Sequence, residues 1–340
     1  MSWRLGSRKR GIEVSHRSFS VALKGATLVL SVLALARPPV AAQARFAPAT
    51  PKLPMARTWT AYKATLPPYR PPRTPDGVPD LRGVWGGPGG AGGDDIEEHE
   101  YVDSTTPPQE SFISDPPDGK IPYTPWALAT RNEIRAGLAR GWPGESGGRL
   151  YADPASFCVT TIGPRGGGGE ITQQPGRVIL MNARIHRVIR TDGSPPLGGG
   201  AQLWRGSSRG RWEGDSLVVS VTSLNGRHWF DSVGNFYSDN TRMIERWRLV
   251  DANTIDYEIT IEDPTIYTRP WTMNYPLRRA GTGGTDAATG KYAWRTTVTA
   301  DRDPYAREMW ETTCNEGIGH TVEELHGLGF KWFKGVTPPR

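Results

Sequence analysis

The first candidate for chemistry in this 340-residue chain is the serine of Gly214-Asp215-Ser216-Leu217. The same four letters surround the nucleophile of GDSL esterases, where a histidine base and an orienting acid activate the hydroxyl. In those enzymes the block follows a buried parallel strand and opens a helix. Here Leu217-Val218-Val219 continues as a strand, and no Asp-x-x-His lies near the end of the chain. Gly214 can take a positive φ and Asp215 can bond its own backbone, so Glu213 to Ser216 reads as a hairpin turn. A GDSL esterase is disfavoured.

Metal and phosphate chemistry find less support. The stretch HTVEELH puts His320 and His326 six residues apart, whereas a helical zinc site needs histidines at i and i+4. The Gly-rich stretches around 86–93, 163–169 and 198–200 lack the Gly-Lys-Ser/Thr ending of a phosphate loop. No metal and no cofactor are expected.

Strand parity is more informative. In TRMIERWRLV, residues Met243, Glu245, Trp247 and Leu249 share one face. A carboxyl among such neighbours must be ion-paired, hydrogen-bonded or raised in pKa. In RVILMNARIHRVIR, read as one strand, Asn182, Arg184 and His186 line the face opposite Ile179, Met181 and Ile185. That polar row faces either solvent or a lumen. One reading is a metal-independent lyase or isomerase with Glu245 or His186 as general acid/base and Arg246 or Arg184 stabilising developing negative charge. The alternative for Glu245 is a buried structural pair with an arginine. The segment Asn225–Asp239 gathers Asn225, His228, Trp229, Asp231, Tyr237 and Asp239 between two strands. Binding groups concentrate in such loops, and the bland alternative is a cover over the end of a sheet. In EDPTIYTRPW, an ion pair that fixes the turn is the credible reading.

The elements that must position these groups are mostly strands. Short segments of period 2, separated by Asp/Asn/Gly turns, run from about residue 176 and indicate an antiparallel barrel or lipocalin-like sheet. The fold class is mainly β, with one packed helix over 125–140, from Thr124 as N-cap to Gly141 as stop. Residues 45–120 are Pro/Gly-rich and read as an extended arm or linker, with Asp80–Trp85 a short strand within it. The β domain spans 121–340.

Residues 1–44 read as a secretory signal, with a basic start, the apolar run ATLVLSVLALA and cleavage after Ala44. The net charge is +6, and the seven Lys/Arg and one Glu of that leader account for all of it. The remainder is neutral, which argues against nucleic acid as a partner. A periplasmic or secreted location follows, with no integral membrane segment after cleavage. In that compartment Cys158 and Cys314 are expected to form a disulfide.

The ordered blocks DLRGVW, YTPWA, QQPGRVIL, GRWEGDSLVV, the SD…ERWR stretch, EDPTIYTRPWTM and CNEG together resemble an uncharacterised family of exported bacterial proteins of acidobacterial and sphingomonad type. The resemblance covers nearly all of the chain after the leader. That family has Thr in the place of Ser216, which implies a turn hydroxyl. It has histidine in place of Tyr237 and of Asn315, so any chemistry of those histidines is altered here. The expectation is an exported β-barrel protein binding a small organic molecule, aromatic or hydroxylated, in its lumen or mouth. A lyase or isomerase and a structural envelope protein are the alternatives.

Overall fold

The computed structural model describes residues 56–86, 95–99, 110–138, 151, 153–157, 162–163, 168–182, 185–198, 200–279 and 333–339. Cys158, Cys314, the leader and the HTVEELH stretch lie outside them. Ten strands follow in chain order: β1 (Gly83–Gly86), β2 (Ile113–Asp115), β3 (Gly169–Gln174), β4 (Arg177–Asn182) and β5 (Ile185–Arg190); then β6 (Ser207–Glu213), β7 (Ser216–Thr222), β8 (Arg242–Asp251), β9 (Thr254–Glu262) and β10 (Trp271–Arg279). Helices α1 (Ala56–Lys63) and α2 (Pro125–Ala136) complete the set.

Neighbouring strands run β1-β3-β4-β5-β6-β7-β8-β9-β10, and β10 returns to β1, closing a nine-stranded barrel. A ring with an odd number of strands cannot be antiparallel throughout, because direction must be restored after one circuit. The required parallel junction is β5 to β6, held at Arg190 and Arg209. The seam is short: β1 meets β10 only at Arg278 and Arg279, and β2 covers the same edge of β10 at Thr272 and Met273.

Part of the segment expected to be an arm is therefore built into the sheet, and a boundary at residue 120 divides elements that share it. Helix α1 is fastened to the outer face of β9 and β10. The buried Trp59 donates its indole N–H to Asp256 at 2.8 Å, and Lys63 reaches Asn274 at 2.7 Å and Asp256 at 3.1 Å. Helix α2 ends at Ala136, before the expected stop at Gly141. Gly137 folds back instead, its N–H meeting the carbonyls of Glu133 and Ile134. A Cβ there would stand 2.9 Å from the Tyr151 ring, so the close approach needs glycine. Thr124 makes no side-chain cap.

Period-2 alternation holds through the long strands. Met243, Glu245, Trp247 and Leu249 of β8 are buried, as are Ile255, Tyr257, Ile259 and Ile261 of β9. Register then stacks the interior in layers. Leu217, Trp247, Tyr257 and Tyr275 lie side by side, and next to them Val219, Glu245, Ile259 and Met273. Trp247 and Tyr257 meet with ring centroids 4.4 Å apart. The segment read as a single strand over 177–190 is a hairpin instead. After Asn182 the chain reverses, so Val178 and Leu180 face inward on β4, but Arg187 and Ile189 do so on β5.

Candidate functional site inside the barrel

Glu245 sits inside the barrel with no exposed surface. Arg187 on β5 donates one nitrogen to both of its oxygens, at 3.0 and 2.9 Å. The Trp247 indole N–H donates at 3.2 Å, and the Tyr257 hydroxyl is also bonded to it. The same arginine gives its Nε to Ser208 Oγ at 2.9 Å. Gly210, next inward on β6, leaves room for this approach. A Cβ there would lie 2.8 Å from Ile189, so a larger residue would push β5 away.

Arg205 joins this pair from the segment just before β6. Its Nε and Nη1 are buried without a hydrogen-bond partner, and so is Nη2 of Arg187. Burial, followed by the like charge of Arg187, pushes Arg205 down to about 10, with Glu245 opposing. It stays a cation at neutral pH. The other buried atoms without a hydrogen-bond partner include the hydroxyls of Tyr237 and Tyr275 and the indole N–H groups of Trp271 and, in segment 225–239, Trp229. Burial raises the pKa of both tyrosines, so each keeps its proton. An orphaned buried polar group costs about 1–3 kcal/mol, and buried groups are ordinarily satisfied. Several such groups face the barrel interior without a partner in the protein.

Segment 225–239 closes the barrel end nearest Arg205. Its apolar residues turn inward: Phe230 packs on Tyr237 and Trp271 at centroid distances of 4.9 and 5.8 Å, and Trp229 on Phe333 at 5.6 Å. Asp231 is wholly buried in a polar knot. It accepts from the N–H groups of Ile96, Val233 and Asn235, and from the Asn235 side chain. Asn235 also bonds Asp95 and Arg131, and Arg131 and Arg135 of α2 pair with Glu97 and Asp95. This knot clamps α2 and residues 95–99 over the barrel end.

Burial, then the nearby Asp95 carboxylate, push Asp231 up to about 7 against those hydrogen bonds. A carboxyl with a higher pKa folded than unfolded makes the folded state hold the extra proton. Stability therefore falls as pH rises from the unfolded value of 3.8 to about 7, with a slope approaching ~1.4 kcal/mol per pH unit, and this slope ends above that window. Asp231→Asn should flatten that part of the profile in denaturant titrations between pH 5 and 8. Identical pH dependence in both proteins would sink the assignment.

Comparison of this chain with protein-family models, curated proteins and solved structures finds no match. The site is therefore defined by its own residues. Of those singled out in the sequence, Glu245 and Tyr237 enter the interior, and His228, Trp229 and Asp231 lie buried in the closing segment. Asn225 only caps a turn through the N–H of Arg227, and Asp239 is exposed and bonded to Gln202. His186 and Arg246 are corrections. His186 is exposed on the outer face of β5, the solvent side of the two that the sequence left open, so it is no acid/base group of the lumen. Arg246 follows Glu245 on the same strand, must point the other way, and pairs with Glu213 at 3.0 Å outside. Arg184 and the side chain of Asn182 lie outside the described residues.

Arg187 and Arg205 were missed by sequence reasoning. Arg187 stood one place beyond the row counted as polar, and nothing in WRGSS marks Arg205 as inward.

Ser216 opens β7 opposite Glu213, with Gly214 at φ +60° and Asp215 paired to Arg73 at 2.7 Å. Glycine at the first of two turn positions is the type II′ pattern. Among the described residues no histidine is bonded to Ser216. Ser216→Ala should change the unfolding free energy by no more than about 0.5 kcal/mol. A larger loss in urea denaturation would mean the hydroxyl has a structural role beyond the turn.

Proposed function

We propose that this is an exported protein that holds a small organic molecule inside its β-barrel. The observation that carries the reading is the group of buried, unpartnered polar atoms on Arg187, Arg205, Tyr237, Tyr275 and Trp271, set among aromatic walls. An eight-stranded barrel has an interior that side chains just fill or that holds one small ligand, and nine strands enclose slightly more. Pockets with apolar walls and a few convergent polar groups are the usual small-molecule sites. The leader read in residues 1–44 supports export, as does the resemblance to exported bacterial proteins. Among the described residues no helix is long and apolar enough to cross a membrane.

The lyase or isomerase reading loses support from the same geometry. Three side chains donate to Glu245, which leaves it a poor proton shuttle, and His186 faces outward. A thermal-shift screen of small aromatic and hydroxylated compounds tests the binding reading. A ligand at a hundred times its Kd adds about 2.7 kcal/mol, which for a domain of this size raises Tm by about 5–10 °C. A screen in which no such compound moves Tm would contradict it.

A further inference from the structure

Resting on the lumen-binding reading, we propose that the occupant is a monoanion, an aromatic carboxylate, whose negative charge is held by Arg205. The charge inventory of the interior is the first argument. Among the described residues, Arg187 and Arg205 bring two positive charges, and Glu245 brings one negative charge that is already engaged by Arg187, Trp247 and Tyr257. Among the described residues, the carboxylate that acts most strongly on Arg205 is Glu245, and the like charge of Arg187 outweighs it. One positive charge is left over, and a buried charge without a partner is costly.

The direction of the unsatisfied bonds is the second argument. A guanidinium and an indole N–H can donate but cannot accept. The orphaned atoms of Arg187, Arg205 and Trp271 therefore ask for an acceptor, and the hydroxyls of Tyr237 and Tyr275 are further donors in the same interior. A neutral alcohol would answer one or two of these donors and leave the charge uncompensated. A carboxylate offers several lone pairs and the missing charge, and charge-assisted bonds are roughly twice as strong as neutral ones. A dianion would exceed the single surplus charge. The surrounding walls are aromatic: Phe230 packs on Tyr237 and Trp271, and Tyr257 on Tyr275.

The test pairs two probes of one ring system, 2-naphthoate and 2-naphthalenemethanol, titrated into purified protein by calorimetry. Naphthoate is expected to bind about tenfold tighter or more, since a charge-assisted bond replaces a neutral one. In Arg205→Met that preference should collapse while the alcohol's affinity holds. Arg205→Lys should restore part of it, and circular dichroism checks that each variant is folded. An alcohol that binds wild-type protein as well as the carboxylate does would overturn the anion inference and leave lumen binding standing. Binding of neither probe would overturn both.

Discussion

Glu245→Ala should lower the unfolding free energy by about 3–5 kcal/mol, the loss typical when one member of a buried ion pair is removed. The variant strands Arg187, which loses both of its bonds to the carboxylate, and leaves the nearby Arg205 charge unopposed. The Trp247 indole and the Tyr257 hydroxyl lose their acceptor in the same step. The cost comes from the uncompensated cation more than from the worth of the pair itself. Removing both partners should therefore be far milder. Arg187→Met combined with Glu245→Leu is expected to recover most of the loss, because an apolar pair of similar volume replaces a buried ionic one at little net cost. Urea denaturation at pH 7 on the three proteins decides it. A double variant no more stable than Glu245→Ala would mean that the ion pair does not set the loss.

The second large effect concerns the closing segment. Phe230 has no exposed surface and packs against Tyr237 and Trp271. On its other side a Cβ on Gly163 would stand 3.3 Å from the ring, so that backbone is already in near contact. Phe230→Ala should cost about 3–5 kcal/mol, the transfer loss plus the cavity that the surrounding sheet cannot collapse to fill. Leu197, which is 52% exposed, is the control: its alanine variant should stay within about 0.5 kcal/mol. If Phe230→Ala matched Leu197→Ala in chemical denaturation, the segment would be a surface loop and not a plug.

The parts of the fold written as local patterns were readable in advance. Alternation in TRMIERWRLV put Glu245 on the buried face, and the need for a compensating partner followed from the chemistry of a carboxyl. The Gly-Asp turn declared the β6–β7 hairpin. The identity of the partner was not local. Arg187 is reached only by knowing that the chain reverses between Asn182 and Ile185, and no glycine or proline announces that turn. Counting by twos across it grouped His186 with Asn182 and Arg184 and left open whether that row met solvent or a lumen; the hairpin puts His186 outside and Arg187 inside.

The other gaps have similar causes. Segment 225–239 was noticed for its polar side chains, but burial of Trp229, Phe230, Phe236 and Tyr237 decides where it goes. Its polar groups then had to be satisfied internally, as Asp231 is. Helix α1 buries Ala56 and one large apolar side chain, Trp59, and is also fastened by polar groups on distant strands. The short strand expected at Asp80–Trp85 is present as β1, but its place in the ring was not local, because the strands it joins come much later in the chain. Arg205 has no sequence signature, since its role depends on what two other segments bring beside it.

A crystal structure of the protein grown with 2-naphthoate tests the central claim most directly. Density for the ring is expected among Tyr237, Trp271 and Tyr275, with the carboxylate within hydrogen-bond distance of Arg205. A barrel interior without naphthoate, in which Arg205 and Arg187 donate only to the protein's own groups, would contradict it.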